Sequence, residues 1–177
     1  MLVWLIIAVL CVGLPLWAQA RWRVASVLFA MVSAIYLCPQ LVSFATMTSA
    51  SGSDLSTPTS GLYAQVSMSV YLLQFSILTG MLALLVWGHE RIGVVQMPRA
   101  RLAAFWTINV ALLLTYLVTA FLRLRLEIEN AFYIAHRVAV VNAIETGLAA
   151  LIYLAVAFLV FLVVAALVVR YWNWLRR

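Results

Sequence analysis

Two histidines, a few carboxylates and several neutral amides are the residues with which this 177-residue chain could do chemistry. Paired neutral imidazoles are the usual axial ligands of membrane haems, and the chain offers His89 and His136. His89 follows an apolar run ending at Gly88, and His136 lies beyond another ending at Leu122. If each run crosses a bilayer, roughly 30 Å of hydrocarbon separates the two rings and they cannot hold one iron. Each is expected as an interfacial residue, so cofactor binding is left unknown. A haem or quinone would enter through partners. Among the carboxylates, Glu145 is the single candidate for a functional group, because it precedes the last apolar run where a helix meets the outer interface. A solvated interfacial Glu is the plainer reading.

The dipeptide His136-Arg137 is similar to the His-Arg near the haem of succinate dehydrogenase anchor subunits, but the flanking pattern of that family is absent. Cys-x-x-Cys, His-x-x-x-His, a Gly-rich phosphate loop and a nucleophile elbow are all missing, so no catalytic residue is assigned, no metal is expected and the chain is not read as an enzyme by itself. Cys11 and Cys38 fall roughly 15 Å and 22 Å from the Arg21-Trp22-Arg23 turn at 1.5 Å per helical residue, which sets them at different depths and excludes a disulfide.

Within the apolar runs, Gln40, Gln74 and Asn109 are expected to hydrogen-bond between helices, at about 1 kcal/mol each. A transporter or channel would instead align them along one polar path. Thr107, Ala111, Thr115 and Thr119 recur every fourth residue and form a narrow stripe of small side chains, with Ser76 and Gly80 as a shorter version. Such stripes let another helix approach closely.

The elements that must position these residues follow from composition. Hydrophobic residues make up 67% of the chain, charged residues 9%, and the mean hydropathy is +1.12. That is more apolar surface than one soluble domain buries, and a span needs about 20 apolar residues, so lipid is the expected solvent. Spans are expected near residues 1–20, 24–45, 62–88, 102–122 and 147–169, with a Ser/Thr-rich outer loop at 46–61 and an outer interfacial segment at 123–146. Ala18-Gln19-Ala20 resembles a signal-peptidase site, yet the basic residues follow the apolar run rather than precede it, which suits an uncleaved anchor. From Leu122 to Glu129 apolar and charged residues alternate, a period that suits an extended strand, while Arg123/Glu127 and Arg125/Glu129 suit helical pairing; its conformation is left open.

All eleven cationic side chains are Arg. With the N-terminus outside and the C-terminus cytoplasmic, residues 21, 23, 91, 99, 101, 170, 176 and 177 stay inside and 123, 125 and 137 outside, as the positive-inside rule requires. No basic run or aromatic-basic surface points to nucleic acid. The sequence therefore predicts an all-α integral membrane protein, one bundle of about five transmembrane helices, multi-pass in a bacterial inner membrane. Its expected role is that of an accessory or structural subunit packed against other integral membrane subunits and lipids, in a respiratory or electron-transfer assembly. The alternatives are a haem- or quinone-binding anchor and a small transporter or channel.

Overall fold

The computed structural model describes the backbone of residues 2–22, 24–50, 59–93, 97–126 and 131–176. Every regular element among them is helical: α1 (Leu2–Trp22), α2 (Ala25–Ala50), α3 (Thr59–Ile92), α4 (Pro98–Leu126) and α5 (Ala131–Leu175). Three stretches, Val70–Ile92, Pro98–Thr119 and Ala139–Leu175, are long and apolar enough to cross a membrane, and α2 adds a shorter apolar helix over Ala25–Pro39. Helix is the only economical answer for such sequences, since each backbone N–H and C=O is then satisfied without water.

Several helices outrun the apolar spans. α2 continues through Thr46–Ala50 and α3 already begins at Thr59, so the outer loop expected at 46–61 shrinks; residues 51–58 lie outside the described ones. α4 continues to Leu126, so of the two conformations left open the helical one holds for Leu122–Leu126, while Glu127 and Glu129 lie outside the described residues. Backbone pairing is local in a helix, and a chain already helical gains one hydrogen bond for each residue added, so propagation runs past the ends of the apolar runs. α3 ends where Gly93 takes the left-handed conformation at φ 71°, and α4 starts at Pro98, whose missing N–H costs nothing at a first helical position.

Short connections make sequence neighbours antiparallel. α2 packs most extensively on α3 and α4 on α5, while α1 lies against α2 and α4, and α5 also touches α3. The order around the bundle is thus α1–α2–α3–α5–α4, with α2 and α4 meeting across it. Phe29 of α2 and Phe105 of α4 form an edge-to-face pair at 5.0 Å in that meeting, and Tyr36 and Phe75 another at 5.6 Å between α2 and α3. Aromatic pairs in this geometry add about 0.5–1.5 kcal/mol beyond their buried area.

The helices do not end together. Leu162 and Ala166 of α5 are buried, but each residue from Leu167 to Leu175 is exposed. α5 therefore leaves the bundle at Ala166 and runs on alone for roughly 14 Å.

Candidate functional site

Polar side chains inside the bundle are few, and most are tied to a neighbouring helix. α1 carries Pro15 in its interior, and a proline cannot donate to the carbonyl four residues before it. That carbonyl belongs to Cys11, and Asn109 of α4 donates its Nδ2 to it at 2.8 Å. Two turns along, Trp106 donates its indole N–H to Gln19 Oε1 at 2.7 Å. Between α2 and α3, Ser33 Oγ donates to the Ser76 carbonyl at 2.8 Å and Ser76 Oγ donates to the Ser33 carbonyl at 3.0 Å. Gly80 lies opposite, where an added Cβ would meet Ser33 Oγ at 3.1 Å. The helix that approaches the Ser76/Gly80 face is thus α2 of the same chain.

The stripe on α4 divides. Ala111 is buried, Thr115 and Thr119 are half-buried, and Thr107 is exposed. Thr115 donates to the Ala111 carbonyl at 2.9 Å, and Thr119 Oγ1 lies 2.8 Å from both the Thr115 carbonyl and Glu145 Oε1, so Glu145 is hydrogen-bonded to α4. Thr107 lines an open groove of about 420 Å³ between α4 and α5, with Ala100, Ala103 and Ala104 on one wall and Leu151, Leu154, Ala155 and Phe158 on the other.

The densest polar group gathers where α2, α3 and α4 begin or end. Ser26 Oγ donates to Glu90 Oε2 at 2.6 Å, and Arg101 Nη1 stands 3.8 Å from Glu90 Oε1. The same Nη1 is 3.2 Å from His89 Nδ1. A guanidinium only donates, so His89 Nδ1 accepts and the ring proton belongs on Nε2. Ser26, His89 and Arg101 are all buried. His89 Nε2 and Arg101 Nε have no hydrogen-bond partner, and both residues line a gap closed by Leu159, Leu162 and Val163 of α5 that is too narrow for a water-sized molecule.

This arrangement was not singled out from sequence, where Glu90 and Arg101 counted only as linker charges. The usable signal was the short connection, which sets Glu90 one turn before it and Arg101 one turn after it on antiparallel helices. His89 is correspondingly buried in the bundle, with Nδ1 paired to Arg101 and Nε2 unpaired against the apolar α5 wall. His136 lies within α5 but its side chain is outside the described residues, as is that of Gln40. Leu159, beside His89, is 23 residues further along α5 than His136, roughly 35 Å by helical rise. The two histidines are not brought together. Gln74 is exposed on the outer side of α3 and Asn109 is buried against α1, so these two amides do not share a path. Cys11 is buried and Cys38 exposed, both as free thiols. Among the described residues no cluster of three or more metal-ligating side chains occurs.

The architecture is that of an all-helical protein with three helices able to span a membrane. No protein-family model matches the chain, nor does any curated protein or solved structure.

Proposed function

We propose that the chain is a non-catalytic, multi-pass subunit of the bacterial inner membrane, with five spans and the N-terminus outside, that packs against other integral membrane subunits of a respiratory or electron-transfer assembly. The observation that carries the reading is α5. Its apolar stretch has a mean hydropathy of 3.1, yet only 17% of it is buried, against 39% for α3 and 44% for α4. Leu151, Leu154, Phe158, Phe161, Val168, Trp172 and Leu175 are exposed at alternating three- and four-residue steps, interrupted only by half-buried Ala165. That is the spacing by which one helix inserts knobs into another. Beside this ridge, the alanines of α4 leave room for a second helix to approach.

Lipid can cover exposed apolar residues, but the free end of α5 also offers a surface that no other helix of the bundle occupies. Beyond Ala166, the last residue of α5 packed in the bundle, Leu167, Val168, Tyr171, Trp172, Trp174 and Leu175 are all exposed. Small-residue packing faces and an exposed apolar helix suit a subunit packed against a catalytic core and lipids; the respiratory setting is chosen as a common one for such subunits.

Purification of the tagged chain from its native membrane in a mild detergent tests the proposal. A complex of fixed stoichiometry is expected, and Leu154→Ala with Phe161→Ala should release the chain from it. Recovery of a lone monomer from the native membrane would overturn the reading.

A further inference from the structure

A second surface lies on the opposite flank of the Arg-bearing end, between the last turns of α1 and the first turn of α4. It is a groove of about 460 Å³ lined by Leu16, Gln19, Ala20, Pro98, Arg99 and Leu102. That is the volume of roughly fifteen waters at about 30 Å³ each, enough for a phosphodiester with the start of an acyl chain. Four of the lining residues are apolar and two are polar.

The polar pair has a definite chemistry. Gln19 accepts the Trp106 indole proton on its carbonyl oxygen, which fixes the amide and leaves its –NH₂ as a donor. Arg99 is exposed and presents a guanidinium suited to two-pronged contact with phosphate oxygens.

The cations at this end are not equivalent. Arg91 lies over the Trp87 ring at 5.1 Å, Arg176 lies over Trp172 at 5.0 Å, and Arg101 is held by Glu90 and His89. Glu90 is the only carboxylate at this end among the described residues, and Ser26 and Arg101 already occupy it. Arg99, Arg170, and Arg21 one residue beyond Ala20, therefore have no anionic partner among the described residues, and of the three it is Arg99 that lines this apolar groove.

We infer that this α1/α4 groove is a binding site for an anionic phospholipid, its phosphate held by Arg99 and the Gln19 amide and its glycerol and first methylenes lying against Leu16, Ala20, Pro98 and Leu102. The site is separate from the α5 ridge and does not depend on the subunit proposal.

The test is native mass spectrometry of the full chain in mild detergent, titrated with phosphatidylglycerol, phosphatidylcholine or inorganic phosphate. One phosphatidylglycerol is expected to be retained in preference to phosphatidylcholine, and inorganic phosphate should not displace it. Arg99→Gln should weaken retention roughly tenfold, the loss of one charge-assisted contact. Ala20→Phe, which fills the groove without touching the charge, should weaken it comparably, while Arg91→Gln, with the same change in net charge, should leave it unaltered. Circular dichroism without added lipid checks that each variant is folded. Equal retention of phosphatidylcholine, displacement by inorganic phosphate, or wild-type retention by both folded Arg99→Gln and Ala20→Phe would overturn the site.

Discussion

Asn109 donates its amide to the carbonyl of Cys11, the carbonyl that Pro15 deprives of its helical donor. The contact lies in the middle of two apolar helices, where an unsatisfied carbonyl has no water to turn to. Asn109→Leu should therefore cost about 1–2 kcal/mol. In a Pro15→Ala background the Cys11 carbonyl regains an N–H from its own helix, and the same substitution should cost about 1 kcal/mol less. Detergent-unfolding curves of the four proteins measure this coupling, and additive costs would show that Asn109 serves another purpose.

A second cycle concerns Ser33 and Ser76, whose hydroxyls exchange bonds with each other's backbone. Ser33→Ala and Ser76→Ala should each destabilise by about 1 kcal/mol, with a double mutant less affected than the sum. Gly80→Leu should do more damage than either, because even a Cβ there meets Ser33 Oγ at 3.1 Å. Thermal midpoints in one detergent suffice, and a tolerated Gly80→Leu would contradict the close approach of α2 and α3.

For the charged cluster the direction of asymmetry is the prediction. The Arg101 side chain is 9% exposed and that of Glu90 20%, so losing Glu90 strands a buried guanidinium. Glu90→Gln is expected to destabilise by about 1–3 kcal/mol, the lower end reflecting its partial exposure. Adding Arg101→Met should recover part of that loss, since an apolar side chain no longer needs the anion. If the double variant is less stable than Glu90→Gln alone, Arg101 stabilises the bundle through contacts other than Glu90.

Replacing Tyr171, Trp172 and Trp174 together by Ser should leave the isolated chain's unfolding within about 0.5 kcal/mol per site of the original, because none of the three is buried. Association with neighbouring subunits should fall sharply under the same substitutions. The two measurements, unfolding of the purified chain and recovery of the complex, separate folding from assembly.

Helix number and approximate placement were legible because hydropathy reports which solvent a segment wants. So was the separation of His89 from His136, a matter of counting residues along helices. Levels were not. Hydropathy is blind to where one helix stops relative to its neighbour, so the free end of α5 past Ala166 had no signature, and the helical continuation through Leu126 had only the i,i+4 charge spacing, offset by the competing period of two. The Ser26, Glu90 and Arg101 grouping was hidden for a related reason: each residue reads as an interfacial polar group until helix register places all three on one side. Pro15 was the overlooked clue, since a proline inside an apolar helix names the carbonyl it frees, and Asn109 was the available donor.

The wall that Leu159, Leu162 and Val163 place against His89 and Arg101 has a consequence for biogenesis. Those three residues are the last of this pocket to be synthesised, and the order around the bundle leaves the slot between α3 and α4 vacant until α5 arrives. Without those three residues the Arg101 guanidinium and the His89 imidazole N–H lose the wall that covers them. Closure of this polar flank thus waits on the last helix, and the finished bundle conceals what the first four helices alone would leave open.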